Sequence, residues 1–413
     1  MRNDELCVWL DDSLVATLIR TRTGTIRLRY TDESVSKFGE NAIVMSVALP
    51  TSMKRYDGTP VELWAESLLP EGETRTLIEG LFGVRRGDTF GLLAAIGGDC
   101  AGALSFLPEG STPQATTASS QPLQGDELEA ALTRLDSHPL GVDDDVRVSL
   151  GGLQAKLLLT RTPDGGWARP AGGAPSTHIA KPDPDRFPGL VSTEAFTLAL
   201  AGSAGIRAAD HRLEHWGDRP VLLVERFDRS VHGQHVRRLH QEDACSALGV
   251  NPTGPHKYQS QDPKSPSLAR IAKLLSVHGT ERPRDLVSLA KQVTLRLAVG
   301  DTDGHARNYG LLHVENALEL APLYDAAPTS MFVSAKQMGL WADGQSYLRA
   351  VTRGHLEREF RSWGMPTALA ESLPAETLSR LKDSVPLAVE ATPGVDEKYV
   401  EAIAERITGL LER

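Results

Sequence analysis

The sequence predicts an α+β protein whose first part is rich in antiparallel strands and whose last part is mostly helical. Near the N-terminus, apolar and polar residues alternate in "LCVWL", "LVATLIR" and "TIRLRY", which is typical of neighbouring antiparallel strands. Later, "DLVSLAKQVTLRLAVG" and "DEKYVEAIAERITGLLER" carry apolar residues at helical spacing. Between them, a stretch rich in Pro, Ser, Thr and Gln interrupts the apolar pattern.

The overall composition limits the class of protein. The chain has 413 residues, enough for two or three domains, and 40% hydrophobic residues, enough for real cores. A net charge of −10 argues against a protein that coats nucleic acid by bulk charge. The three cysteines are far apart, so neither a zinc site nor a disulfide framework is expected. With no signal-peptide core and no long apolar run, we expect a cytoplasmic protein without a membrane segment.

The first 109 residues read as one compact α+β domain. After the three strands, "AIVMSVALP" predicts another strand, and "PVELWAESLL" and "RTLIEGLFGV" predict helices. "FGLLAAIGGDCAGALSFLP" predicts a buried helix that turns through glycines into a strand. Residues 110–126 predict a linker or an exposed loop, and "ELEAALTRL" then predicts a short helix.

The remaining chain divides into a strand-rich part, 127–230, and a helical part, 231–413. "RVSLGGLQAKLLLTR" predicts a strand, a glycine turn and a strand, and "THIAKP" and "PVLLVERFDR" predict two further strands. "STEAFTLALAGSAGI" predicts a helix with a Ser/Thr start and a Gly stop. Within the helical part, "YGLLHVENALELAPLYDAAP" predicts a hairpin that turns at Glu315–Asn316.

The stretch "DTDGHARNYG", residues 301–310, concentrates polar side chains at the end of a predicted helix. A solvated turn is one explanation, because Asp, Gly and Asn favour turns. A calcium loop is excluded by spacing, since Ala306 and Leu312 stand where an EF-hand needs Gly and Glu. A phosphoryl-transfer loop is the third explanation. Asp303 and Asn308 are separated by four residues, as are the catalytic Asp and the metal-binding Asn of kinases.

Further candidates for phosphoryl transfer precede this loop. Gly151 and Gly152 would let backbone N–H groups approach phosphates, although the same pair suits a plain hairpin turn. Lys181 lies in an apolar strand, where it would pair with phosphates or serve as an edge-strand lysine. Glu194 opens the next helix, and could pair with Lys181 or stabilise that helix N-terminus.

The order of the candidates is more specific than any one of them. Glu225 and Phe227 lie where a hinge would bind adenine, and Asp325 follows the hairpin as a second metal ligand. His305 would hold the loop or touch phosphate, unless it is a structural turn residue. The candidates follow one another as in a bilobal protein-kinase-like fold. Their order is glycine turn, strand Lys, helix Glu, hinge, D-x-x-x-x-N, hairpin and Asp. The motifs H-R-D and D-F-G are absent, so an ordinary eukaryotic-type kinase is not expected.

The chain resembles the HipA family, the kinase toxins of bacterial toxin–antitoxin pairs. The resemblance extends over nearly the whole chain and rests on these segments, in this order: "LPEGETR", "FGLLAAIGGDCAGAL", "SLGGLQAK", "THIAKP", "LLVERFDR", "RLHQEDACSALG", "TDGHARN" and "PLYDAAP". The chain departs from the family pattern at Gly151, Leu153, His240 and Arg307, none of which is a core catalytic group.

The resemblance implies Ser/Thr protein kinase activity with ATP and Mg²⁺. It implies that Asp303 is the catalytic Asp, with His305 in its loop, and that Asn308 and Asp325 hold the metal. It further implies that ATP binds at the turn and at the hinge. The residues implied there are Ser149, Leu150, Gly151, Gly152, Lys181, Glu225, Phe227 and His305. Ser149 matches the serine that the family autophosphorylates to switch the kinase off.

The resemblance also implies partners. We expect a HipB-like helix-turn-helix antitoxin, contact with operator DNA mainly through it, and a protein substrate, of which an aminoacyl-tRNA synthetase is the first candidate. Phosphorylation of such a target would halt translation and give a dormant, drug-tolerant cell. Two alternatives are a corepressor scaffold that binds the antitoxin and a small-molecule kinase. The linker at 110–126 and residues 326–350 are less recognisable. Residues 326–350 follow the metal Asp, where a kinase reads its protein substrate, so the sequence does not name the target.

Overall fold

A computed structural model describes residues 4–117, 119–151 and 154–413. The chain divides into two compact units. Unit 1 comprises Met1–Pro182, Leu223–Glu242 and Asn251–Thr253. Unit 2 comprises Asp183–Leu222, Asp243–Val250 and Gly254–Arg413. The chain is an α+β protein, with most of its strands in unit 1 and its longest helices in unit 2.

The strands are short and lie mostly in the first 243 residues. They are β1 Glu5–Leu10, β2 Ser13–Arg20, β3 Ile26–Tyr30, β4 Arg55–Asp57, β5 Leu104–Leu107, β6 Gln121–Leu123, β7 Leu157–Arg161, β8 Trp167–Arg169, β9 His178–Pro182, β10 His211–Trp216, β11 Arg219–Glu225, β12 Arg229–His232, β13 His235–Arg238, β14 Gln241–Asp243, β15 Gly310–Val314, β16 Ala317–Leu320, β17 Gln337–Ala342 and β18 Gln345–Tyr347.

The helices become longer towards the C-terminus. They are α1 Asp32–Phe38, α2 Thr59–Ser67, α3 Gly72–Leu81, α4 Thr89–Ile96, α5 Asp126–Thr133, α6 Leu190–Ser203, α7 Ala244–Ala247, α8 Leu268–His278, α9 Arg282–Val299, α10 Arg353–Ser362, α11 Thr367–Ala391 and α12 Glu397–Glu412. Among the described residues, no helix combines the length and the apolar character that crossing a membrane requires.

Unit 1 contains an antiparallel sheet in the order β4-β3-β2-β1-β5. Its alternating strands bury one face against α2 and α4, where Trp64 and Phe106 meet with ring centroids 5.8 Å apart. The strands β9, β7, β8 and β6 are adjacent in that order in a second sheet of this unit. The three predicted N-terminal strands, the two helices and the helix–glycine–strand segment are all confirmed.

Two predicted strands of unit 1 do not form. Residues 42–49 are buried but irregular, because side chains rather than a neighbouring strand satisfy their backbone: the N–H of Ala42 donates to Thr51 Oγ1 at 2.8 Å, and that of Val47 to Glu242 at 2.9 Å. Residues 147–149 also form no strand. There, Val148 makes only an isolated parallel bridge to Asp99.

Part of the segment predicted as a linker is bonded to unit 1. The N–H of Thr117 donates to the carbonyl of Gln234 at 2.9 Å, and that of Val236 to the carbonyl of Ala115 at 2.8 Å. The short strand β6 then pairs with β8.

Unit 2 has a helical core that presents one loop. Leu295, Ala298 and Val299 of α9 are buried among apolar residues of α6, α11 and α12. The predicted hairpin is confirmed as β15 and β16, which turn at Glu315, a residue with a φ of 56°. The predicted C-terminal amphipathic helix is confirmed as α12. The loop of interest joins α9 to β15.

Candidate active site

The loop 301–308 begins where α9 ends, at a left-handed glycine. Gly300 has a φ of 85°, and its N–H donates to the carbonyls of Arg296 and Leu297, so the helix closes and the chain turns away. A Cβ at Gly300 would also lie 2.6 Å from Ser330 Oγ, so a larger residue would have to displace that side chain in addition to adopting the left-handed conformation. After the loop, Ala306–Asn308 form one turn of 3-10 helix before β15.

A single buried arginine on α9 connects the loop to the segment that follows the hairpin. The Arg296 guanidinium donates to the carbonyls of Asn308 at 3.0 Å, Tyr324 at 2.8 Å and Asp325 at 3.1 Å. It also pairs with the buried carboxylate of Asp301. We call these five residues the Arg296 site. A guanidinium has five N–H donors and can bind several fixed acceptors at once. Arg296 therefore holds the backbone of both predicted metal ligands, Asn308 and Asp325.

Asp303 is held by its own backbone as well as by its neighbours. Its N–H donates to Asp301 Oδ1 at 2.9 Å and to Thr329 Oγ1 at 3.2 Å. Its carbonyl accepts the N–H of His305 at 2.7 Å and the Nδ2 of Asn308 at 2.9 Å. With Nδ2 engaged, Oδ1 is the atom of Asn308 that suits a cation.

The two exposed carboxylates of the site influence each other. Surrounding protein raises the pKa of the Asp303 carboxyl by removing part of its hydration, and the negative charge of Asp325 raises this pKa further. Tyr258 opposes that change, because its hydroxyl donates to Asp303 Oδ1. Asp325 has a positive φ of 50°, an uncommon backbone conformation for a residue other than glycine.

His305 lies beneath this surface and is uncharged at neutral pH. Burial lowers the pKa of His305 well below its usual range, and the positive charges of Lys257 and Arg307 lower it further. Its ring meets that of Tyr258 edge to face, with centroids 5.1 Å apart and an interplanar angle of 87°. Its Nδ1 has no hydrogen-bond partner within the described part of the chain. His305 therefore packs within the loop, with one ring nitrogen buried.

The site has the chemistry for a hard cation bound with a phosphate. Asp325 and Asn308 offer carboxylate and amide oxygens, which are ligands that Mg²⁺ prefers. Among the residues that the structure describes, no group of three or more His, Cys, Asp or Glu is placed to hold a metal ion. Oxygens of a second molecule, such as phosphates, would therefore have to complete the coordination shell, and these residues fit Mg²⁺ carried with ATP.

The strand β17 supports the loop from another side. A Cβ at Gly339 would lie 2.7 Å from the carbonyl carbon of Gly304 and 2.7 Å from the nitrogen of His305. The Gly339 carbonyl also accepts the N–H of Gln259 at 2.8 Å. Residues 337–342 thus contact both the loop and the segment that carries Tyr258.

The predicted nucleotide-binding residues in the first part of the chain lie in unit 1. Ser149 is completely buried; its Oγ donates to the Leu68 carbonyl at 2.6 Å and its N–H to the Asp99 carbonyl at 3.0 Å. Leu150 is half-buried, and the Gly151 carbonyl accepts Lys156 Nζ at 2.7 Å. Gly152 and the departure at Leu153 lie outside the described residues.

The strand lysine and the predicted hinge are also in unit 1. Lys181 lies in β9 and is 6% exposed. Glu225 ends β11 and is exposed, while Phe227 follows it and is half-buried. Glu194 belongs to unit 2, where it is buried in the first half of α6.

Unit 1 also contains a buried charge cluster, formed by Asp99, Arg226, Asp228, Arg229 and Arg238, each at most 5% exposed. Asp99 pairs with Arg226 at 3.3 Å, Arg229 at 2.8 Å and Arg238 at 3.3 Å. Arg226 also binds Asp228 through two parallel bonds of 3.0 and 2.9 Å. The "VERFDR" motif therefore supplies charges that pair with an aspartate 127 residues earlier in the chain.

The structure brings together Asp303, His305, Asn308 and Asp325 in unit 2. Sequence reasoning missed the residues that hold them, namely Arg296, Tyr258, Thr329 and Gly339. Arg296 had a detectable signal, since it is a charged residue on an otherwise buried turn of α9. Tyr258 had none, because 45 residues separate it from Asp303.

Comparisons with known proteins identify the family of the chain. A model described as the HipA N-terminal domain matches residues 6–107, and one described as the HipA-like C-terminal domain matches residues 148–388, more than half of the chain. The Y4mE protein of Sinorhizobium fredii, named as a candidate kinase, is 34% identical over 78% of this chain and 77% of its own. The serine/threonine-protein kinase toxin HipA of Shewanella oneidensis is 28% identical over 98% of this chain and 94% of its own.

A solved structure extends the likeness to the fold. A chain of the Shewanella oneidensis MR-1 toxin–antitoxin complex of HipA, HipB and operator DNA has a TM-score of 0.81 with this chain and 25% identity to it. The likeness covers 98% of this chain and 96% of that one. The fold is therefore the kinase-like fold of HipA, as the motif order predicts, and the chain belongs to the HipA family of serine/threonine protein kinase toxins.

Proposed function

We propose that this protein transfers the γ-phosphoryl group of Mg-ATP to a serine or threonine of a protein, with Asp303 as the base. The observation that carries the proposal is the Arg296 site, which fixes the carbonyls of Asn308 and Asp325 around the loop that bears Asp303. In phosphoryl transfer most of the catalysis comes from positioning and charge. A loop held by one buried arginine suits that requirement.

The residues have separate tasks in this proposal. Asp303 accepts the proton of the substrate hydroxyl, and its partly desolvated carboxylate is a stronger base than a free aspartate. Asn308 and Asp325 hold Mg²⁺, which when bound supplies neutralisation of the phosphate charge. His305 stays neutral and packs within the loop.

In unit 1, we propose that Lys181 pairs with the phosphates of ATP. The backbone N–H groups of residues 149–152 donate hydrogen bonds to the same phosphates. Glu225 and Phe227 bind adenine through their backbone groups. Lys181 is buried in a strand, which supports the assignment because a buried lysine is retained where it has an anionic partner.

Autophosphorylation at Ser149 would need a change of structure. The Ser149 hydroxyl is buried against the Leu68 carbonyl, so the segment must leave this position before the hydroxyl can be phosphorylated. A phosphate could not return there, because its negative charge would meet a carbonyl oxygen without hydration. Modification would therefore keep the glycine turn displaced and the kinase inactive.

The biological part of the proposal follows the HipA relatives. We propose a HipB-like antitoxin with a helix-turn-helix as the partner, with operator DNA bound mainly through it. We propose an aminoacyl-tRNA synthetase as the protein substrate, whose phosphorylation would stop translation. The solved HipA complex with HipB and operator DNA supports the first of these.

The test uses the purified full chain with Mg²⁺ and γ-labelled ATP, with bacterial extract as the source of substrate. The wild type is compared with Asp303→Asn and Asp325→Asn, and the products are mapped by mass spectrometry. We expect label on extract protein and on Ser149 with the wild type, and a loss of at least 100-fold with either variant. Equal labelling by wild type and Asp303→Asn would contradict the proposal, and label on a metabolite alone would favour a small-molecule kinase.

A further inference from the structure

Tyr258 contacts the proposed base directly, although the sequence and the family comparison give it no role. Its hydroxyl donates to Oδ1 of Asp303. Among the described residues this is the side chain that donates to the Asp303 carboxylate, and the second oxygen, Oδ2, takes no part in the bond. A carboxylate that accepts a proton needs one oxygen for the substrate, so a donor fixed on the other oxygen defines its direction.

The tyrosine is itself held in place. Its ring stands edge-on to the His305 ring at 5.1 Å. Its backbone N–H donates to the Pro255 carbonyl at 3.1 Å. The next residue, Gln259, is bonded to β17 twice: its N–H donates to the Gly339 carbonyl at 2.8 Å, and its Oε1 accepts the Trp341 N–H at 2.8 Å.

These contacts form a closed arrangement. The strand β17 bonds the segment that carries Tyr258, and Gly339 of that strand touches the backbone of Gly304 and His305. The hydroxyl of Tyr258 then reaches the carboxylate on the same loop. Backbone contacts on both sides therefore hold the hydroxyl and the carboxylate within hydrogen-bond reach of each other.

We propose that Tyr258 is a positioning residue for Asp303: its hydroxyl holds Oδ1, so that Oδ2 is presented to the substrate hydroxyl. The inference rests on the proposed function, because it takes Asp303 as the base. It adds a residue from a segment 45 positions before the loop.

The experiment measures initial rates of label transfer from γ-labelled Mg-ATP to extract protein as a function of ATP concentration. It compares wild type, Tyr258→Phe, Tyr258→Leu and Asp303→Asn, all as full chains. Tyr347→Phe is the matched control, since Tyr347 is 52% exposed. Thermal unfolding of each variant reports whether the fold is intact.

We expect Tyr258→Phe to lower kcat about tenfold or more, with KM for ATP within about twofold of wild type and an unchanged Tm. Tyr258→Leu should show a similar loss of kcat, because it lacks the same hydroxyl. Tyr347→Phe should match the wild type. A purely structural role would lower the Tm together with the rate.

Three outcomes would overturn the inference. If Tyr258→Phe is as active as wild type while Tyr258→Leu is not, the ring rather than the hydroxyl matters. If Tyr258→Phe is faster, the hydrogen bond blocks the base. If KM for ATP rises while kcat is unchanged, Tyr258 serves nucleotide binding. Equal rates for wild type and Asp303→Asn would instead show that Asp303 is not the base. Both the proposed function and this inference would then be wrong.

Discussion

Two buried sites in this protein use arginine in different ways. In the buried charge cluster of unit 1, three arginines share two aspartates, and Asp99 pairs with all three. In the Arg296 site of unit 2, one arginine has one aspartate and three backbone carbonyls as partners. The first site balances charge between distant segments, whereas the second fixes the path of a loop.

The difference determines what fails when each site is damaged. A carboxylate removed from the cluster leaves arginines without a counter-charge in the interior, which is a large cost in free energy. Substitution of Arg296 leaves three backbone carbonyls without their donor and releases the loop 301–308 from α9. The first site should therefore govern the stability of unit 1, and the second should govern catalysis.

The largest effect on stability is expected for Asp99→Ala. Loss of this carboxylate leaves Asp228 as the remaining negative charge of the cluster for three buried arginines. The free energy of unfolding should therefore fall by about 3–5 kcal/mol. Urea unfolding followed by circular dichroism measures the change. The control is Asp57→Ala, which breaks pairs with Arg27 and Arg55 at the surface and should cost about 0–1 kcal/mol. If both variants lost a similar free energy of unfolding, the buried charge cluster would contribute no more to stability than the surface pairs of Asp57.

The next effect is expected for Arg296→Lys. Lysine keeps the charge but lacks the planar fork that reaches several carbonyls. Phosphate transfer should fall about 100-fold, and the free energy of unfolding by about 1.5–3 kcal/mol. The measurements are the labelling rate and urea unfolding.

The same helix offers a matched control for that substitution. Arg284 of α9 is 70% exposed and pairs with Glu281 at 3.5 Å. Arg284→Lys should leave activity unchanged and alter stability by at most about 0.5 kcal/mol. If Arg296→Lys resembled this control, the loop would not depend on the guanidinium.

A smaller effect is expected for Gly339→Ala. The added Cβ would meet the backbone of Gly304 and His305 at 2.7 Å, so the loop or β17 must shift, at a cost of about 1–3 kcal/mol. Activity should fall by more than the folded fraction explains, because the loop itself moves. Gly202→Ala is the control, since Gly202 lies in α6 and, outside the local helix backbone, no atom lies within 4 Å of its Cβ position; it should be neutral or slightly stabilising.

The smallest effect is expected in the pH dependence of the stability that the buried charge cluster contributes. Nearby arginines hold the pKa of Asp99 well below its ordinary value of 3.8, against the opposing effect of burial. Because the folded-state pKa is the lower one, the stabilisation is fully present above pH 3.8 and is lost as pH falls below it. The difference in unfolding free energy between wild type and Asp99→Asn should therefore shrink by about 1.4 kcal/mol per pH unit below that value. A constant difference between pH 5 and pH 3 would contradict this.

Sequence reasoning succeeded where signals are local or ordered along the chain. The spacing of Asp303 and Asn308 and the position of Asp325 after a hairpin were readable without coordinates. The apolar pattern also predicted α9, α12 and the first three strands. It failed at residues 42–49, because the alternation of apolar residues does not reveal that Thr51 and Glu242 satisfy the backbone there.

The residues that sequence reasoning missed act across long separations. Tyr258 meets Asp303 only after the chain has folded, and Asp99 meets Arg238 across 139 residues. No periodicity or spacing connects such partners. The "VERFDR" motif is recognisable in the sequence, but its arginines pair with Asp99 and Asp228 in the buried charge cluster, which a hinge assignment does not suggest.

The cluster has a consequence for how the protein is made. Asp99 is synthesised 127 residues before Arg226 and 139 residues before Arg238. The N-terminal domain thus leaves the ribosome with a carboxylate whose partners do not yet exist, and unit 1 cannot complete its interior until more than half of the chain has emerged. A fragment ending near residue 107 would contain Asp99 without its arginine partners, and a hybrid that joins the two halves of different relatives would have to keep both sets of charges.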